Sequence, residues 1–178
     1  MAGSRYVRIL GSQYPTNLTH EPIQQKTSIK EQKVDPFLEK MTELPPHAQA
    51  IGMELLAAGA RRCKVRVPYA PHLVGDPDTG ILHGGVITAT LDNASGWAVR
   101  CHEDWADGVS MATLDIRIDY MKPATPKLAL IVEAECYQLG RSVAFVRALA
   151  HQGDPDKPVA TSMGAFMLGT PNVQGRNL

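Results

Sequence analysis

The chain has 178 residues and balances 18 Lys plus Arg against 18 Asp plus Glu, so its formal net charge is zero. That length is one domain's worth and can bury a core. Neutrality removes the general electrostatic case for a nucleic-acid backbone or an anionic membrane as partner, and no apolar stretch approaches the ~20 residues of a transmembrane helix.

Residues 1–34 are rich in Gln, Lys, Thr and Pro and lack periodicity. They are expected to form an arm that is disordered or packs on a partner, with no apolar run at the start that would serve as a signal peptide. Asp35-Pro36 reads as a helix start, with Phe37, Leu38 and Met41 on one face, and Pro45-Pro46 as its stop. From Ile51 the pattern turns to strands: Cys63, Val65 and Val67 alternate with Arg62, Lys64 and Arg66. Pro71, Gly75, Asp76-Pro77 and Gly80 then punctuate a sharply turning loop.

The one long helical candidate runs roughly from His83 to His102. It is apolar on nearly all sides (Val86, Ile87, Ala89, Leu91, Ala94, Trp97, Ala98, Val99), which predicts a helix buried inside the domain. Strand signals follow. Ala112, Leu114, Ile116, Ile118 and Tyr120 alternate with Thr113, Asp115, Arg117 and Asp119; Leu128 to Cys136, Val143 to Ala148 and Val159 to Leu168 come next. One early buried helix followed by strands on short turns predicts an α+β fold, an antiparallel sheet wrapped around that helix. Residues 35–170 are expected to form this single domain, with 171–178 as a tail. Cys63, Cys101 and Cys136 are odd in number and lack a Cys-x-x-Cys spacing, so they predict reduced, buried thiols in the cytosol.

Two features carry chemistry. Gly80-Ile-Leu-His83-Gly84-Gly85 opens the buried helix, where first-turn amides lack intrahelical acceptors and the helix dipole is positive. Such a turn suits a carbonyl oxygen that becomes anionic in acyl transfer, and a glycine-rich turn capped by His is the plain alternative. Asp92 sits mid-helix among apolar residues, where an unpaired carboxylate is costly unless it is tied to a partner or put to use. Gly84 and Asp92 are eight residues apart, about 12 Å along a helix, too far to serve one carbonyl. Two helices antiparallel about a two-fold axis would bring Asp92 of one near Gly84 of the other. Thr113 is a third candidate, open between a hydroxyl that serves the site and an ordinary surface residue. His102-Glu103-Asp104 lacks a second His at metal spacing and reads as a solvated helix end. Ser95 and Ser142 lie in no Gly-x-Ser-x-Gly context. Lys122 and Arg141, beside turns, could reach phosphates. Ala89, Ala94, Ser95, Gly96 and Trp97 could shape a pocket.

The stretch Gly80-Ile-Leu-His-Gly-Gly-Val-Ile-Thr-Ala-Thr-Leu-Asp92-Asn-Ala resembles the signature of PaaI-like (phenylacetate-degradation type) hotdog thioesterases. In that pattern His-Gly-Gly opens the central helix and an acidic residue follows nine positions after the His. Ala112 to Pro123, with its closing Tyr-x-x-Pro, resembles the family's next strand. The resemblance implies a hotdog fold and hydrolysis of an acyl- or aryl-CoA thioester to acid and free coenzyme A, with no metal and no cofactor. It implies a homodimer assembling to a tetramer, with Gly84 donating its amide to the thioester oxygen. Asp92 of the other subunit would act as base or nucleophile, Thr113 would help hold the water, and His83 would shape the first turn. Gly85 and Asp76 would contact substrate, although Asp76 stands where relatives often carry Asn and one residue is inserted. The rival readings are an acyl-CoA binding protein without turnover, a hydratase, and a purely structural dimer.

Overall fold

Alternation of period two builds most of the sheet. The computed structural model describes residues 7–8 and 44–170. In β3 (Arg62–Val67), Cys63, Val65 and Val67 are buried while Arg62 is exposed and Lys64 and Arg66 half-buried, as in a strand with one face on a core. β7 (Leu130–Leu139) and β8 (Val143–His151) repeat the pattern, burying Leu130, Val132, Ala134 and Cys136, and Ala144, Val146, Ala148 and Ala150. With β1 (Val7–Arg8), β2 (Glu54–Gly59), β6 (Met111–Tyr120) and β9 (Ala160–Leu168) they form one antiparallel sheet, ordered β1-β2-β3-β7-β8-β9-β6. A separate ribbon pairs β4 (Val74–Asp76) with β5 (Ile81–Leu82).

The long helix α2 (Gly84–Arg100) lies against the apolar face of this sheet, chiefly on β7, β8 and β3. Val86, Ile87, Leu91, Ala94, Ala98 and Val99 are buried there. Each large aliphatic side chain so buried contributes about 1.5–3 kcal/mol. A sheet wrapped around one central helix is the hotdog fold, as the pattern of elements predicts.

Several local expectations are revised. The helix starts one residue later and ends two earlier than expected, with His83 as N-cap and Cys101 as C-cap. It is not buried all round. Gly85 and Arg100 are exposed, and Thr88, Ala89, Asp92, Asn93 and Gly96 half-buried, which marks a stripe at about four-residue spacing turned away from the sheet. Pro46 starts a short helix of its own, α1 (Pro46–Ala50), with Pro45 as N-cap. A residue without an N–H and with fixed φ suits a first turn as well as it disrupts an interior. The helix expected from Asp35 lies outside the described residues, as does the arm except for Val7–Arg8, which pair with Ala58 and Ala57 of β2.

The register of β6 departs most from simple alternation. Thr113 pairs with Phe166 and Asp115 with the next residue, Ala165, so Leu114 bulges out of the ladder and is 50% exposed. The bulge switches parity. Met111 and Thr113 join Ile116 and Ile118 on the helix side, whereas unbroken alternation would put Thr113 opposite them.

Candidate active site

The first turn of α2 is shaped by His83 and the glycines around it. His83 Nδ1 accepts a hydrogen bond from the Gly85 amide at 2.9 Å, so the neutral ring carries its proton on Nε2. A Cβ on Gly75 would lie 2.8 Å from His83 Cα, so only glycine lets β4 pass this close. With Gly85 committed to the cap, the Gly84 amide is left without an acceptor among the described residues. It sits at the positive end of the α2 dipole. The Gly84 carbonyl is held from the other side. Tyr120 Oη, at the end of β6, donates to it at 2.9 Å, and Thr88 Oγ1 lies 3.2 Å from the same oxygen and 2.8 Å from Tyr120 Oη.

Two turns further along α2, Thr113 Oγ1 donates to Asp92 Oδ1 at 2.9 Å. The burial inferred for Asp92 is corrected here: it is half-buried, on the stripe that faces away from the sheet. The bulge at Leu114 puts Thr113 on the helix side, where its hydroxyl meets Asp92 although the residue stays exposed. Because α2 is continuous, Gly84 and Asp92 of one chain remain about 12 Å apart.

A cavity of about 340 Å³ opens beside Asp92 and Thr113. Gly96, Trp97, Met111 and Phe166 form its apolar walls and Arg100 also lines it. Of the residues expected to shape a pocket, Gly96 and Trp97 line this cavity; Ala94 and Ser95 are buried and, like Ala89, are not part of this lining. Met111 and Phe166 carry no sequence signal for the site, since only sheet pairing brings β9 behind the middle of α2. A larger groove of about 630 Å³ crosses the opposite face of the sheet. Its charged walls close into ion pairs, Glu135 with Arg62 and Arg147 and Glu133 with Lys64, and it touches neither Gly84 nor Asp92. Asp92 and Thr113 line the smaller cavity.

The remaining candidates lie apart. Asp76 turns its carboxylate into its own loop, accepting from Thr79 Oγ1 at 2.7 Å and the Asp78 amide at 3.0 Å, and these bonds hold its pKa below the ordinary value. Lys122 follows Tyr120 at the Gly84 end of the sheet, where its amide donates to Val159. Arg141 sits in the β7–β8 turn, where Leu168 donates to Ser142. Val159 and Leu168 flank opposite ends of β9, roughly 30 Å apart at about 3.3 Å per residue. His102 is buried, its Nδ1 accepting from the Asp104 amide at 3.2 Å, and His151 is buried at the end of β8, 3.3 Å from Glu133. Of His102-Glu103-Asp104, expected as a solvated helix end, Glu103 and Asp104 are exposed and only His102 is buried. Among the described residues no group of three or more His, Cys, Asp or Glu is placed to hold a metal ion. No helix among them is long and apolar enough to cross a membrane.

A family model for the thioesterase superfamily matches residues 79–159, the segment that carries Gly84, Asp92, Thr113 and Tyr120. A solved structure from Pseudomonas aeruginosa is 38% identical, covers 74% of this chain and 93% of that one, and superposes with a TM-score of 0.61. The chain belongs to the thioesterase superfamily. Within the superfamily, the medium/long-chain acyl-CoA thioesterase YigI of Escherichia coli is 27% identical over 135 residues, 70% of this chain and 86% of that protein. The phenylacetic acid degradation protein PaaI of Thermus thermophilus shares the fold, with a TM-score of 0.60 over 69% of this chain and 98% of that one at 24% identity.

Proposed function

We propose that this protein hydrolyses acyl-CoA thioesters to the free acid and coenzyme A at a site shared by two subunits. The observation that carries the reading is the Thr113–Asp92 hydrogen bond inside a cavity of acyl-group size. Superfamily membership makes thioester hydrolysis the reaction class, and the name of the E. coli relative supports acyl-CoA as the substrate class.

The chemistry follows from the groups present. The Gly84 amide donates to the thioester oxygen, and that bond strengthens as the oxygen becomes anionic. Thr113 donates a hydrogen bond to Asp92 Oδ1 and so leaves Oδ2 to take a proton from water. The water oxygen bonds to the acyl carbon; collapse of the tetrahedral intermediate breaks the carbon–sulfur bond, and the departing thiolate recovers a proton. Asp92 is thus assigned as general base. His83 fixes the first turn through Gly85 and presents Nε2–H outward.

The 12 Å between Gly84 and Asp92 requires that they come from different subunits. The edge strand β6, ten residues long with Leu114, Tyr120 and Met121 exposed along it, supports a dimer, since a long unpaired edge can pair with a second chain. Pairing of dimers into a tetramer is part of this reading, as is a location in the cytosol. Lys122, at the Gly84 end, is the proposed phosphate contact; Arg141 reaches that site only from a partner subunit. Neither a metal nor a redox cofactor has a step in this mechanism. The test is thiol release from a panel of alkyl- and aryl-acyl-CoA thioesters. Binding of those thioesters without release would leave a carrier instead of an enzyme.

A further inference from the structure

The cavity beside Asp92 ends in a charge. Arg100 is the last residue of α2, eight positions or about 12 Å beyond Asp92 on the same stripe, and both line this cavity. Its guanidinium lies 5.3 Å from the ring centroid of Trp97 and 5.9 Å from that of Trp105. Two indoles therefore hold it in place and supply no counter-charge. The other arginines lining a cavity, Arg62 and Arg147, are ion-paired to Glu135. No carboxylate pairs with Arg100 among the described residues.

Such a pocket is unsuited to a chain that ends in methyl. The walls of Gly96, Trp97, Met111 and Phe166 accept methylenes, but a terminal methyl against a guanidinium would strip water from the charge and return nothing. A terminal carboxylate would meet a pre-positioned fork of donors. Resting on the acyl-CoA thioesterase reading, we propose that the cavity binds acyl groups ending in a carboxylate. The preferred substrates are then mono-CoA thioesters of dicarboxylic acids, and Arg100 is the specificity-determining residue that takes the distal carboxylate.

The experiment compares kcat/KM for matched pairs of equal length: butyryl with succinyl, hexanoyl with adipyl, octanoyl with suberyl and decanoyl with sebacyl-CoA. The wild type should favour the dicarboxylic member of at least one pair about tenfold or more. Arg100→Leu should lose a factor of about ten to a hundred on that member and hold or gain on its alkyl counterpart. Preference for the alkyl member at every length overturns the proposal. So does an Arg100→Leu effect equal for both members: if it vanishes with N-acetylcysteamine thioesters, the guanidinium serves the nucleotide phosphates. A change in melting temperature alone would mark Arg100 as a partner of the helix dipole and likewise overturn it. Quenching of tryptophan fluorescence by suberyl-CoA and octanoyl-CoA, measured with Asp92→Asn, reads the same preference without turnover. If the wild type releases no thiol but binds the dicarboxylic thioester selectively through Arg100, the enzyme reading fails and the pocket assignment stands.

Discussion

Thr113 and Asp92 are 21 residues apart in sequence and 2.9 Å apart in space, joined by a hydroxyl-to-carboxylate hydrogen bond that ties the edge strand β6 to the middle of α2. The bond exists because Leu114 bulges and turns Thr113 toward the helix. It engages Oδ1 and leaves Oδ2 for the proposed role of base.

Removing the base while keeping its shape should show this directly. Asp92→Asn is expected to lower kcat by a factor on the order of 10² or more with the fold unchanged. Thr113→Val should cost about tenfold, the scale of one hydrogen bond to a charged group, and nothing further when Asp92 is already Asn. Additive losses would mean that Thr113 acts elsewhere. A single turnover in heavy-oxygen water separates base from nucleophile: label appearing in the acid in the first turnover fits the base, and label in the Asp92 carboxylate does not.

Tyr120 holds the Gly84 carbonyl and, through it, the aim of the first-turn amides. Tyr120→Phe should lower kcat about five- to tenfold and leave KM for the acyl-CoA nearly unchanged. Gly85→Ala acts on the same turn by a different route, since its Cβ would fall 2.8 Å from His83 Nδ1 and displace the capping ring. Loss of that cap should cost about 1 kcal/mol, read as a lower urea midpoint. An unchanged midpoint would show that the cap contributes nothing.

The proposed shared site predicts complementation. Asp92→Asn and a variant with a bulky residue at Gly84, each inactive, are unfolded and refolded together. Random pairing makes half the dimers mixed, and each mixed dimer has one of two sites intact, so activity should recover toward about a quarter of wild type. Tagged co-purification establishes that subunits exchange. Mixed dimers that stay inactive would place Gly84 and Asp92 in different mechanisms.

The thiols give a pH prediction. Burial raises the pKa of Cys63 well above its ordinary value and those of Cys101 and Cys136 to about 11. A group whose folded pKa is raised adds no penalty below its unfolded value near 9. Its stability contribution is lost as pH climbs from there toward 11, because the unfolded chain ionises first. The urea midpoint should therefore fall across that window, and Cys136→Ser, which keeps a small polar side chain without a thiolate, should flatten part of the fall. Native protein at neutral pH should resist iodoacetamide and react once unfolded.

Much of this protein was legible along the chain, because burial imposes short periods that residues carry locally. The alternation of Cys63, Val65 and Val67 and the long apolar helix after Gly80 led to the hotdog fold, and the His83-to-Asp92 spacing to the two ends of the proposed site. Periodicity could not reveal its own interruption. One bulged residue, Leu114, inverts the parity of β6 and decides that Thr113 meets Asp92. Nor could it assign Tyr120 to the Gly84 carbonyl, Phe166 to the cavity wall, or Arg100 to a pocket between two tryptophans. These depend on pairing between strands far apart in the chain and on a helix stripe turned from the sheet. Local sequence sets which face of an element is apolar; only tertiary packing decides which polar atoms then come within about 3 Å of one another.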